Sequence, residues 1–197
     1  MRDATAGPRQ GSQNQGIEMP VPFERSYWVS PGRLLAGCYP GNPDAESAAD
    51  KLAALLGAGI RVCVDLTEKG EPNLAGLPLA PYEEKWRSLG RSSGVDVDYW
   101  RKSIPDMDVP SREGMISILD IIDRAIGNGR PVYVHCLGGL GRTGVVVGCW
   151  LARHGTAAGP GVLNTIRVLR RNEGAAHLPS PQTGRQCDMA SSWPPGQ

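Results

Sequence analysis

The stretch Pro131-Val132-Tyr133-Val134-His135-Cys136-Leu137-Gly138-Gly139-Leu140-Gly141-Arg142-Thr143-Gly144 decides how this chain is read. Its opening, 131–135, is a short apolar run and predicts a buried strand. Gly138, Gly139 and Gly141 then predict a tight turn, free to take positive φ and to aim several N–H groups inward as an anion nest. Residues 143–153 are apolar on nearly every face, which predicts a central, buried helix. A helix N-terminus offers unpaired backbone N–H groups and the positive end of the macrodipole, so strand, turn and helix together make a phosphate site. Arg142 adds a planar guanidinium matched to two phosphate oxygens. Cys136 lies beneath this cradle. The field that binds phosphate also favours its thiolate, and the thiolate is the nucleophile.

Competing readings of the same glycines are weaker. Gly139, Gly141 and Gly144 match a dinucleotide-binding spacing, but the acidic residue expected on a following strand is missing, because 161–171 reads as helix. No Gly-Lys-Ser/Thr follows the turn, which removes the nucleotide P-loop. Metal binding by His135 with Cys136 lacks further ligands at suitable spacing.

Working outward, strands alternate with helices early and helices dominate late. Residues 28–36 predict a hairpin broken at Pro31-Gly32. A helix is expected over 44–57, with Ala48, Leu52, Leu55 and Leu56 near helical spacing, and a buried strand over 61–66. Residues 69–81 read as a loop, 82–89 as a short helix and 95–104 as a strand. Ser111 is placed to cap a helix in which Met115, Ile118, Leu119, Ile122, Ala125 and Ile126 share a face, and 127–129 end it. Two further helices are expected over 160–171 and 182–193. The fold class that follows is α/β, a central and mostly parallel sheet flanked by helices. Residues 1–20 are expected to be a disordered tail, 21–193 one domain, and 194–197 a short C-terminal tail.

Bulk properties narrow the function classes. The 197 residues are 40% hydrophobic, enough for one domain with a real core, and the formal net charge of +1 gives no general attraction to nucleic acid or to anionic membrane. The cysteines, Cys38, Cys63, Cys136, Cys149 and Cys187, are odd in number and scattered, unlike a zinc site or a disulfide scaffold. Residues 1–15 lack an apolar signal core, and the longest apolar stretch, 145–151, is too short for a bilayer. The expectation is a soluble, cytoplasmic protein, monomeric, with no nucleic-acid or membrane partner.

The run His135-Cys136-Leu137-Gly138-Gly139-Leu140-Gly141-Arg142-Thr143 resembles the Cys-x5-Arg-Ser/Thr signature of the protein tyrosine and dual-specificity phosphatase superfamily. It is most similar to the small dual-specificity group that includes the cyclin-dependent-kinase-associated phosphatases. The resemblance covers roughly residues 25–193. It implies that Cys136 attacks phosphorus while the backbone of Leu137, Gly138, Gly139, Leu140 and Gly141 holds the phosphate with Arg142. It further implies that Thr143 donates to the departing thiolate and that His135 braces the loop. Upstream, Ile104-Pro105-Asp106-Met107-Asp108-Val109-Pro110 resembles the family's Trp-Pro-Asp-x-Gly-Val-Pro loop, with Ile104 for Trp and Asp108 for Gly. This puts Asp106 in the general-acid position, which the chemistry needs because an alkoxide or phenoxide leaves poorly without a proton. Asp108 is the competing candidate. In Ser180-Pro181-Gln182-Thr183-Gly184-Arg185-Gln186, which resembles the segment where some members place a water-positioning Gln, Gln186 is chosen over Gln182. Some members protect the nucleophile with a second thiol, for which Cys63 is the candidate.

What the resemblance implies is a phosphatase that needs no metal or organic cofactor and acts on phosphotyrosine, with phosphoserine or phosphothreonine in reach, in proteins or peptides. The turn carries no Lys, unlike many lipid phosphatases of the superfamily. Alternatives are a pseudophosphatase that only binds phosphoproteins, a phosphatase for a non-protein phosphoester, and a thiol-relay enzyme such as an arsenate reductase, which would need a tight cysteine pair.

Overall fold

The computed structural model describes residues 19–41 and 44–197. Residues 1–18, which carry nearly all of the expected N-terminal tail, lie outside them. Residues 19–20 contact the domain, since Trp28 Nε1 donates to the carbonyl of Pro20 at 3.1 Å.

The sheet has five strands in the order β1-β2-β5-β3-β4. β1 (Ser26–Ser30) and β2 (Leu34–Gly37) form the expected hairpin and pair antiparallel. β5 (Val132–His135) lies at the centre, parallel to β2 and to β3 (Val62–Asp65), and β4 (Asp98–Arg101) completes the parallel part at the edge. Alternation along each strand divides the core. Val62, Val64, Val132 and Val134 face α3 (Arg112–Gly127), α4 (Gly141–Arg153), α5 (Gly161–Leu169) and α6 (Gly184–Ser192). Cys63, Tyr99 and Tyr133 face the other layer, α1 (Ala45–Gly57) and α2 (Glu83–Ser92). Successive side chains on a strand point to opposite faces, so one apolar run can fill two cores.

Local signals explain the ends. The Asp44 side chain caps α1 by accepting from Ser47 N at 2.8 Å, and Ser111 caps α3 by accepting from Gly114 N at 3.0 Å. Strand β4 is shorter than the stretch 95–104 suggested. Val95 and Val97 still pack on the α1/α2 side, but hydrogen-bonded pairing begins only at Asp98. Helix α4 begins at Gly141, and residues 141–152 are all buried. The expected C-terminal tail folds back on α4: Gly196 N donates to the carbonyl of Arg153 at 2.9 Å, and Trp193 Nε1 to that of Gln197 at 2.9 Å. No helix among the described residues is long and apolar enough to cross a membrane.

Candidate active site

The turn from β5 into α4 sits at the centre of the sheet's C-terminal edge, and its carbonyls are turned outward. Leu137 O accepts from Tyr39 N at 3.0 Å, Gly138 O from Arg25 Nη2 at 2.6 Å, and Leu140 O from Ser180 Oγ at 2.8 Å. The Cys136 carbonyl lies 3.2 Å from His135 Nδ1. In a planar trans peptide the N–H opposes the carbonyl, so the amides of 137, 138, 139 and 141 face the other way, toward the cradle. None of the amides of Leu137, Gly138, Gly139 and Leu140 donates to another described residue. Such unpaired donors at a helix start are an anion site.

One expectation is corrected here. Of the three glycines taken to need positive φ, only Gly139 has it, at 73°. The other two serve close packing or leave open space. A Cβ on Gly141 would come within 2.9 Å of both Gln182 Oε1 and Gln186 Oε1, whereas one on Gly138 would meet nothing closer than 3.8 Å. Gly139 is doubly constrained, because its Cβ would also lie 2.5 Å from the Gly37 carbonyl carbon of β2.

Arg142 is 2% exposed and its guanidinium is clamped. Nη1 and Nη2 each donate to one oxygen of Glu71 at 2.6 Å, and Nη1 also donates to the Ile104 carbonyl at 3.1 Å. Asp106 Oδ1 lies 3.0 Å from Nη2. Nε is buried without a partner, as is the hydroxyl of Thr143. Burial disfavours the guanidinium charge, but Glu71, Cys136 and Asp106 outweigh that and hold Arg142 firmly protonated. Burial likewise pushes the Glu71 carboxyl up, yet hydrogen bonds from Arg142 and from Glu68 N hold it below the usual carboxylate range.

Arg142 and Asp106 thus meet at 3.0 Å, and Cys136, 3% exposed, and Thr143 lie on the same turn and helix start. Asp106 and Asp108 are told apart by their partners. The Asp106 side chain is 60% exposed and faces Arg142. Asp108 Oδ1 is engaged by Val109 N and Arg185 Nη1, each at 2.8 Å. His135 is fully buried on the α1/α2 side, with Nε2 2.5 Å from the Tyr82 hydroxyl and its ring stacked on Tyr133. Burial pushes its pKa down, outweighing the nearby Asp65 carboxylate.

Two placements differ from expectation. Gln186 has both ends of its amide in use. Oε1 accepts from Gln182 N and Thr183 N at 3.1 and 3.2 Å, and Nε2 donates to the Asp108 carbonyl at 3.0 Å. Both amides reach over Gly141, each with its Oε1 2.9 Å from an added Cβ, and of the two only Gln182 is exposed. Cys63 pairs in register with Tyr133 and packs in the α1/α2 layer, whereas Cys136 belongs to the opposite core. It is thus set on the wrong face of the sheet for a resolving thiol, and all five cysteines are free.

Sequence reasoning missed Glu71 and Asp65. Asp65, fully buried, accepts from Thr67 N and Thr67 Oγ1 through Oδ1, and from the Tyr99 hydroxyl at 2.6 Å through Oδ2, beside Arg101 at 3.2 Å. It fixes the start of the segment that brings Glu71 to Arg142. The acidic residue in an apolar strand end was a readable signal for Asp65. Nothing in 69–81 singled out Glu71.

The geometry has counterparts in known proteins. A family model described as "Polymorphic toxin system, DSP-PTPase phosphatase" matches residues 40–156. The tyrosine-protein phosphatase cdc-14 of Caenorhabditis elegans is 28% identical over 156 residues, 73% of this chain and 18% of that protein. The chain thus spans less than a fifth of that relative. Among solved structures, kinase associated phosphatase superposes with a TM-score of 0.60 at 20% identity, covering 84% of this chain and 90% of that one. PTPMT1, solved in complex with PI(5)P, gives 0.63 at 16% identity, covering 86% and 94%. At these identities the structural likeness speaks to the fold.

Proposed function

The chain belongs to the dual-specificity group of the cysteine-based phosphatase superfamily, and on that premise we propose that it hydrolyses singly phosphorylated tyrosine, and serine or threonine, in proteins through a phosphocysteine intermediate. The observation that carries the reading is the convergence on one cradle of inward amides, a clamped Arg142, a buried Cys136 and the exposed carboxylate of Asp106.

In the first displacement the Cys136 thiolate attacks phosphorus in line. The amides of 137–142 and Arg142, through Nη2 and the unpartnered Nε, hold the equatorial oxygens. Asp106 gives its proton to the ester oxygen as the P–O bond breaks, so an alcohol departs and the phosphoryl group stays on sulfur. In the second displacement a water oxygen attacks phosphorus, its proton passes to the Asp106 carboxylate, and the P–S bond breaks to return the thiolate and release inorganic phosphate. The buried hydroxyl of Thr143, free of other partners, is suited to donate to that departing sulfur. Positioning and charge complementarity provide most of the acceleration.

Charge pairing supports a substrate with a single phosphate. The arginines that touch the loop or its bracing each face a carboxylate: Arg142 faces Glu71 and Asp106, Arg25 faces Glu173, and Arg101 faces Asp65. A polyphosphorylated headgroup would find these cations already matched.

The test is phosphate release from para-nitrophenyl phosphate, with EDTA present, by the wild type and Cys136→Ser. Turnover lost in the variant is expected. An inactive wild type that still captures phosphopeptides would replace this reading with a binding module. A phosphoinositide turned over far faster than any phosphopeptide would move the substrate class to lipids.

A further inference from the structure

We infer that Arg185 and Gln186, in the first turn of α6, are positioning residues for the general acid: they fasten the acid loop at Asp108 so that Asp106 stays over the cradle. The inference rests on the phosphatase reading above.

The need for a fastening is visible in the loop itself. Met107, between the two aspartates, has φ 59°, the left-handed region that side-chain-bearing residues avoid, and its side chain is half exposed. On Met107 itself the one contact is long, its carbonyl accepting from the Thr183 hydroxyl of the α6 cap at 3.5 Å, so contacts on either side must share in holding it. On one side is the ion pair of Asp106 with Arg142 Nη2. Substrate phosphate competes for that same guanidinium, so this contact weakens when the acid is needed. On the other side, Gln186 Nε2 donates to the Asp108 carbonyl at 3.0 Å and Arg185 Nη1 pairs with Asp108 Oδ1 at 2.8 Å. These contacts involve no group that binds phosphate, so substrate does not compete for them.

The fastening is tied to the nucleophile's own scaffold. Gln186 is held by the N-terminal cap of α6, where its Oε1 accepts from Gln182 N and Thr183 N while Thr183 Oγ1 accepts from Gln186 N at 3.2 Å. Helix α6 in turn packs on α4: a Cβ on Gly148 would lie 2.7 Å from that of Ala190. Because α4 carries Arg142 and Thr143, acid and cradle are referenced to one helix pair.

Arg185 makes the cleaner test. Its side chain is 73% exposed, and an exposed ion pair adds little to folding. The experiment compares wild type, Arg185→Ala, Arg185→Lys and Asp106→Asn on para-nitrophenyl phosphate and on phenyl phosphate across pH. Nitrophenolate leaves readily, whereas phenolate depends on the acid. Arg185→Ala is expected to lower kcat/KM about fivefold on phenyl phosphate but less than about twofold on para-nitrophenyl phosphate. It is also expected to leave inhibition by inorganic phosphate and the melting temperature unchanged. Arg185→Lys should recover most of the loss, and Asp106→Asn should show the same substrate pattern enlarged. Equal losses on the two substrates, or none, in an active wild type overturn the positioning role and leave the phosphatase reading intact. A wild type inactive on both overturns the two together.

Discussion

Arg142 shows how much a single residue depends on partners that no motif names. Its position was legible because Cys, glycines and Arg at fixed spacing have one chemical use. Its orientation is set by Glu71, whose two oxygens take both terminal nitrogens at 2.6 Å. Glu71 was invisible because it lies in a stretch without periodicity, where an acidic residue reads as a solvated loop charge. Yet it is only 8% exposed. Removing Glu71 leaves the buried guanidinium only the exposed Asp106 carboxylate and the Ile104 carbonyl, so Glu71→Ala is expected to destabilise the fold by about 3 kcal/mol, read by urea denaturation. The isosteric Glu71→Gln should fold but bind inorganic phosphate about tenfold more weakly, because the guanidinium loses its charge-assisted fork. Phosphate affinity equal to wild type in Glu71→Gln would show that Arg142 is oriented by Ile104 and Asp106 alone.

Among the elements, helix α4 was the most readable and also the most deceptive. An apolar face on every side predicted burial, and residues 141–152 are all buried. What the pattern could not show is why glycines recur along it. Gly144 admits Ser180, whose Oγ would lie 2.4 Å from an added Cβ, and Gly148 admits Ala190 and Val162 at 2.7 and 3.0 Å. These contacts draw α5, α6 and the segment before α6 onto α4, and through them the acid loop toward the cradle. Gly148→Val would force the three helices apart. Overpacking of this kind costs about 1–3 kcal/mol, so its melting temperature should fall by about 5 °C. An unshifted melting temperature would mean that the crossing is looser than the contact distances imply. Strand β4 was overextended in the sequence reading for the opposite reason: alternation continues through Val95 and Val97, but backbone pairing, which defines a strand, starts at Asp98.

At the scale of the whole molecule, the charges buried beneath the cradle couple its integrity to pH. Burial lowers the His135 pKa from its ordinary value. Burial pushes the Asp65 carboxyl up, but the imidazolium that His135 becomes in acid and hydrogen bonds from Thr67 and Tyr99 outweigh it and hold Asp65 low, as Arg142 does for Glu71. In each case the unfolded chain binds protons more readily than the folded one, so stability falls as pH falls. The His135 contribution is complete above about pH 6.5 and is lost below it, and the carboxylates add their loss below about pH 4.5. The urea midpoint is therefore expected to be flat from pH 8 to 7 and to decline from there to pH 4. His135→Asn should remove the upper part of that decline. A midpoint constant down to pH 5 in the wild type would contradict the buried neutral histidine.

The sequence by itself determined the α/β order and the strand-turn-helix that makes the cradle, and it offered Cys136, Arg142 and Asp106 as the candidates for nucleophile, phosphate-binding arginine and acid. The order and the cradle follow from local periodicity and glycine stereochemistry, the Cys136 and Arg142 candidates from a chemical requirement at fixed spacing, and the Asp106 candidate from the resemblance of its loop. Only the tertiary structure decided which glycine takes positive φ, that Gln186 holds the acid loop with both ends of its amide engaged, that Cys63 faces away from Cys136, and that Glu71 clamps Arg142. Those depend on which strand face, helix crossing or loop carbonyl meets a side chain across many residues of separation. Packing fixes such meetings, and no local pattern records them.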